Sequence, residues 1–266
     1  MTFSITLTLT FLSLTVFGQS SQSELKFNGR LKSVSRTTYH VKDDTITDSV
    51  LSHLNWYFDS NKKLERKRSK IDNKTRDEVF FSNKKNQDTC ILIYKDGVLS
   101  EKIRLSYSDS FLTKKIRYDV RTKSLISTIN FIYNENGQIR YEEQTISDIG
   151  NFRYELNYDT SGFLIQELWF GKQGGLESVW TIMYDSLGNE TENIEVNIEE
   201  KYLYHDIFQY NAFGHWVNFK ELSIDNELVL EKSWSYIYDE NGNWTTCKLF
   251  VNGKFTRFIE QKLLYY

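Results

Sequence analysis

The chain has 266 residues, 15% aromatic and 26% charged, with a formal net charge of −3 and no proline. Average usage, about 5% proline, would give roughly a dozen, and proline removes a ladder hydrogen bond from central strands. Its absence, with 17 Tyr and 18 Phe, fits a chain paired strand to strand almost throughout, because aromatic residues fit a pleated, half-buried surface.

The segment Phe3 to Phe17 holds only apolar residues, Ser and Thr, and Gly18 and Ser20 are small residues near a plausible cleavage point. This predicts a secretory signal over 1–18, although the first four residues carry no Lys or Arg. A polar linker is expected over 19–29. The apolar run is short for a membrane span, no cysteine follows it for a lipid anchor, and no later stretch is apolar enough to cross as a helix. The mature chain is therefore expected to have no transmembrane segment and an exported location: periplasmic, outer-surface or secreted. Nucleic acid is a poor partner for an exported chain of net negative charge. Cys90 and Cys247 are no disulfide framework and too few for a metal site; free, partly buried thiols are expected.

From about residue 30 to the C-terminus one phrase recurs: aromatic, Asn or Asp, two intervening residues, Gly. It stands at Tyr133–Gly137, Tyr158–Gly162, Tyr184–Gly188, Tyr210–Gly214 and Tyr238–Gly242, with the tyrosines 25, 26, 26 and 28 residues apart. Weaker copies without the glycine continue the spacing upstream at Phe58, Phe81 and Tyr107. Asx at the first position and Gly at the fourth mark a type I turn followed by a left-handed residue, a common hairpin connection. The flanks alternate with period two, as in Trp234, Tyr236 and Tyr238 or Phe152, Tyr154, Leu156 and Tyr158, so each flank is a strand with one buried face. Two residues past the glycine an apolar position recurs as Ile139, Leu164, Trp216 and Trp244, with Glu190 the exception. Looser turns are expected at Ser147–Asn151 and Gly171–Gly175. The expected fold is all-β: tandem antiparallel hairpins of about 26 residues over 30–266, forming one extended, twisted sheet or a solenoid-like array.

The Tyr-Asp-x-x-Gly core at Tyr158, Tyr184 and Tyr238 resembles the YD repeats of the Rhs family of bacterial surface and toxin-shell proteins. Gly29–Val34 looks like the first strand of short secreted proteins with such repeats, and the array is similar, more loosely, to MORN-type hairpins. The units here are longer and more degenerate, and the large shell, its proteolytic core and a toxin domain are missing. The resemblance therefore implies a hairpin array exported by a bacterium, not a toxin.

Motifs for chemistry are sparse. His40, His53, His205 and His215 show no ligand spacing, and no nucleophile elbow, phosphate loop or dinucleotide fingerprint occurs. No cofactor, metal or catalytic residue is expected. The repeat aspartates Asp159, Asp185 and Asp239 read as turn formers. Trp56, Trp169, Trp180, Trp216, Trp234 and Trp244 fall on the buried alternation, where an exposed subset would make an aromatic binding strip. Charge is uneven: residues 1–130 carry 23 Lys+Arg against 14 Asp+Glu (+9), and 131–266 carry 10 against 22 (−12). In a linear array these become opposed ends, and Arg66, Lys67 and Arg68 become a candidate polyanion-binding patch. The expected function is a non-enzymatic binding or scaffold protein facing an envelope polysaccharide, polymer or protein. The alternatives are an envelope-polysaccharide enzyme using a carboxylate pair, which a buried carboxylate cluster would favour, and an inhibitor or immunity-like partner of a toxin, which an uncovered sheet edge would favour.

Overall fold

A computed structural model of the chain describes residues 31–61, 63–199 and 202–266. The expected signal and the polar linker lie outside the described residues. Eighteen strands follow one another with no helix among the described residues. The first nine are β1 (Leu31–Lys42), β2 (Thr45–Phe58), β3 (Leu64–Ile71), β4 (Lys74–Ser82), β5 (Asp88–Lys95), β6 (Val98–Ser108), β7 (Phe111–Asp119), β8 (Leu125–Tyr133) and β9 (Ile139–Ile146). The second nine are β10 (Gly150–Tyr158), β11 (Leu164–Phe170), β12 (Leu176–Tyr184), β13 (Glu190–Asn197), β14 (Tyr202–Tyr210), β15 (Trp216–Leu222), β16 (Leu228–Tyr238), β17 (Trp244–Val251) and β18 (Lys254–Tyr265).

Every strand pairs antiparallel with its predecessor and its successor, as the alternating pattern requires. The ends then meet: β1 pairs β18 from Leu31↔Tyr265 to His40↔Arg257. The sheet is therefore a closed up-and-down barrel, which corrects the expectation of an open twisted sheet or solenoid. Each strand pair adds a right-handed twist to the sheet, and a strip of 18 strands has coiled far enough to find its own edge. Closure satisfies both free edges at once. It also removes the opposed ends: the basic and acidic halves of the sequence are two halves of one ring wall.

Curling a single layer into a hoop crowds side chains on the concave side and splays them on the convex side. Along β6, Glu101, Ile103 and Leu105 are buried while Arg104 between them and Ser106 just beyond are exposed, so the buried set faces inward. The apolar clusters run along this inner face from strand to strand. One joins Ile93, Ile103, Leu105, Leu112, Phe131, Ile139 and Leu156 across β5–β10; the other joins Leu31, Val34, Trp56, Phe58 and Leu64 across β1–β3. Rings of this strand number leave an aqueous lumen rather than a filled core.

The five phrase turns have the expected chemistry. Gly137, Gly162, Gly188, Gly214 and Gly242 all have φ between 72° and 90°. The first-position Asx oxygen accepts two backbone N–H groups each time, as Asp159 Oδ1 does from Ser161 and Phe163 and Asp185 Oδ1 from Leu187 and Asn189. Each phrase tyrosine pairs with the residue two past its glycine: Tyr133↔Ile139, Tyr158↔Leu164, Tyr184↔Glu190, Tyr210↔Trp216 and Tyr238↔Trp244. Upstream, the position equivalent to tyrosine is Ser82, paired with Asp88, rather than its neighbour Phe81. The turn there is Asn83–Gln87, with Asn86 at φ 63° in place of glycine. The segment Gly171–Gly175, expected to be looser, repeats the phrase-turn hydrogen bonds, with Gly174 at φ 78°.

Candidate ligand-binding wall

The ring is locked where its first and last strands meet. Arg36 on β1 lies with its guanidinium carbon 4.7 Å from the Trp56 ring on β2 and 4.5 Å from the Trp244 ring on β17. Its Nε donates to Gln261 Oε1 on β18 at 2.6 Å, and Gln261 Nε2 donates to the Trp244 carbonyl at 2.7 Å. Burial pulls the guanidinium down to about 10, so it stays charged at neutral pH. Four strands are stapled by one side chain. No sequence motif marked Arg36, because its partners lie on strands from opposite ends of the chain.

A belt of phrase tyrosines lines one rim. Tyr133 OH donates to the Leu112 carbonyl, Tyr158 OH to that of Ile139 and Tyr184 OH to that of Leu164, each at 2.8 Å. Each hydroxyl thus bonds the return strand of the preceding hairpin and couples one repeat to the next.

Below that rim the inner wall changes character around the ring. On β5–β7 the charges are matched: Glu101, 3% exposed, receives Lys95 Nζ at 2.8 Å and Arg117 Nη2 at 2.6 Å. Burial pushes its carboxyl up, but the two cations outweigh this and hold it below the usual range. From β9 to β15 the matching stops. Cross-strand register places Glu142, Glu167, Glu190, Glu195, Asp206 and Glu221 on inward strand positions. Among the described residues of these strands no Lys or Arg occupies such a position. Burial pushes Glu142 to about 7, aided by Glu167, and Glu167 to about 7, aided by Glu195. Asp206 rises to about 6 through burial and Glu221. Glu190 and Glu195 are raised by burial as well. Lys115, on β7 two strands before the arc, and Lys232, on the adjoining β16, offset Glu142 and Asp206 only in part.

Aromatic rings are threaded through these carboxylates. All six tryptophans take inward register positions. One cross-strand row reads Glu167, Trp180, Glu195, Tyr204. Trp180 stacks on Tyr204 with centroids 6.0 Å apart, and Tyr204 is 46% exposed. Further round, Trp216 contacts Phe208 and Trp234 at 5.4 and 5.9 Å.

The convex face is of another kind. Arg66 and Arg68 both face outward and share Asp77, with Arg68 Nε and Nη2 at 2.7 and 2.9 Å from its two carboxylate oxygens. Lys67, between them, takes the opposite face beside Trp56 and Glu78. The candidate polyanion trio is therefore divided between two faces. His205 faces outward and contacts Glu192, whereas His215 hydrogen-bonds Tyr238 Oη at the rim at 3.0 Å; the two do not form one site. Cys247 is buried and Cys90 partly so, both as free thiols. Lys102, Arg104, Glu143, Arg153, Glu155 and Lys248 add outward charges at mid-strand positions on both halves of the ring.

No family model matches the chain, and no curated protein matches it. Among solved structures, a porin-like protein from Bacteroides uniformis is similar with a TM-score of 0.49 at 10% identity, over 89% of this chain and 98% of that one. Two structures of TcdB2–TccC3, one with Cdc42 and one without the hypervariable C-terminal region, are similar with TM-scores of 0.33 and 0.37 at 10% and 12% identity. Each match covers 84% of this chain but only 15% and 14% of those far longer chains.

Proposed function

We propose that the chain is an exported, non-enzymatic binding protein of the cell envelope, and that its working surface is the inner wall of a water-bathed barrel. The observation that carries this is the sorting of residues between faces: every tryptophan and the unmatched carboxylates point inward. The convex face argues against burial in lipid. A membrane barrel presents an outward apolar band, and each Arg or Lys there costs about 2–4 kcal/mol near the midplane. Arg68, Arg104, Arg153 and Lys248, outward at mid-strand positions, would each meet a cost that grows with depth in lipid. The closed ring offers no free strand edge among the described strands, the feature on which partnership with a toxin by strand addition depended.

The test is purification of the mature chain without detergent, followed by capture from an envelope fraction. A soluble, folded protein that retains envelope material, and loses it on Tyr204→Ala with Trp216→Ala, is the expected result. Precipitation without detergent, or capture indifferent to both substitutions, overturns the reading. One observation favours a second reading: a carboxyl held near 7, as at Glu142 and Glu167, stays partly protonated at neutral pH, as a glycosidic general acid must. Release of reducing ends from an envelope polysaccharide, abolished by Glu167→Gln, would establish that reading instead.

A further inference from the structure

The inner-wall reading leaves the class of ligand open, and the arc on β9–β15 narrows it. We propose, resting on that reading, that this arc binds a linear organic polycation carrying ammonium groups spaced along a flexible chain. Six carboxylates of one sign share a curved wall whose own strands supply no inward cation among the described residues. Like charges held together in this way oppose folding, and a fold that keeps them gains by neutralising them from outside.

A second observation, independent of the charge count, comes from the hydrogen bonds. Glu142 is 8% exposed, and its Oε1 has no protein partner; Asp206 Oδ1 is also buried and without one. Buried acceptors are ordinarily satisfied, and one left without a protein donor costs about 1–3 kcal/mol. Once ionised, as at pH 8, both atoms are acceptors only, so the group that completes them there is a donor. An ammonium brings up to three N–H donors together with the positive charge.

The spacing selects an extended ligand over a point charge. Glu167 and Glu195 stand two strands apart in one row, about 10 Å at the usual inter-strand distance. Glu142 and Glu167 are likewise on alternate strands. No three His, Cys, Asp or Glu side chains converge as a metal site among the described residues. Between the row's carboxylates lies Trp180, and beyond them the half-exposed Tyr204, and aromatic faces attract ammonium groups. Carboxylate, ring, carboxylate, ring is a track for charges separated by methylenes. Lys232 adjoins the arc on β16, Lys115 stands two strands before it on β7, and His205 on the convex side of β14 stands near Asp206.

Spermine is the probe, titrated calorimetrically into the mature chain at low salt. Binding is expected at pH 8 and should weaken at least tenfold by pH 5.5, as the arc takes up protons. At pH 7 binding should release protons, seen as a heat that changes between buffers of different ionisation enthalpy. Glu142→Gln with Glu167→Gln should reduce affinity at least tenfold while raising the melting temperature, since it removes repulsion; Glu155→Gln on the convex face should leave affinity unchanged. No binding at pH 8, undiminished binding by the folded double variant, or displacement of spermine by equimolar calcium overturns the proposal. Should the double variant not fold, proton release by the unaltered protein decides. Envelope capture that depends on Tyr204 and Trp216 in a protein that ignores spermine removes the polycation alone; loss of both removes the inner-wall reading.

Discussion

At the scale of single residues, turn glycines do two separable jobs. Gly188 and Gly174 occupy equivalent positions at φ 80° and 78°. A Cβ on Gly174 meets nothing within 4 Å, whereas one on Gly188 would stand 2.8 Å from the Phe163 ring, which itself stacks on Tyr184 at 5.0 Å. Gly174→Ala should therefore cost only the left-handed penalty, about 1 kcal/mol. Gly188→Ala should cost a further 1–3 kcal/mol or so, because the Phe163 stack must shift; equilibrium denaturation of the two variants measures the difference. The Tyr-to-Gly phrase made Gly188 legible, since turn chemistry is local. It hid Gly174, Asn86 and Asn226, which make the same left-handed turn without tyrosine or without glycine. Asp96–Gly97 and Asn252–Gly253 were equally readable as two-residue hairpin turns, and both adopt positive φ at each residue.

At the scale of elements, the seam and the arc make opposite demands on charge. Arg36→Met keeps a long side chain between Trp56 and Trp244 but leaves Gln261 Oε1 without its donor, so a loss of about 1–3 kcal/mol is expected. Chemical denaturation measures that loss, and hydrogen exchange at β1 and β18 should quicken before that at β5–β8. The arc responds to pH. Burial holds Glu142 and Glu167 near 7 and Asp206 near 6 in the fold, above the ordinary carboxyl values of 4.5 and 3.8. The folded state then binds more protons than the unfolded state between about pH 4 and 7. Stability from these groups is greatest below that window and is lost as pH rises through it, by on the order of 1 kcal/mol per pKa unit and group. Asp77, held low by hydrogen bonds from Arg68 and Arg66 against burial, and Glu101 run the other way; their contribution is lost as pH falls through their lowered folded values. The melting temperature should rise from pH 8 towards pH 5.5 and fall at stronger acidity. Glu142→Gln with Glu167→Gln should flatten the upper limb. In the sequence the six acids looked like scattered strand residues; only register across seven strands assembles them.

At the scale of the whole molecule, closure was the part that sequence reasoning lost. A hairpin repeat announces each pairing between neighbours, because the turn joins them. The pairing of β1 with β18 joins Arg36 to Gln261, 225 residues away, and no turn encodes it. It depends on twist summed over every strand, a quantity no single repeat displays. Ending the chain at Val251 would delete β18 and expose the edges of β1 and β17. Such a chain is expected to self-associate through those edges, and sedimentation of the truncated and full chains decides it. Joining the ends instead should be tolerated, because Leu31 stands opposite Tyr265. A permutant opened between Gly174 and Gly175 should keep the strand content and the pH profile of the parent.

The same even count of antiparallel strands gives the cylinder a front and a back. Leu31 and Tyr265 lie on the rim of the phrase turns, where Asn134–Gln138 and Asp239–Asn243 close their hairpins. The opposite mouth is built from turns such as Asp43–Asp44, Asp96–Gly97 and Asn252–Gly253. A tether at either terminus therefore leaves from the tyrosine rim, and a protein anchored that way stands like a cup, its other mouth turned toward whatever diffuses past. Immobilising the chain by its N-terminus or by its C-terminus should give indistinguishable ligand access, whereas anchoring through a cysteine placed at Asn252 should invert the cup and slow capture.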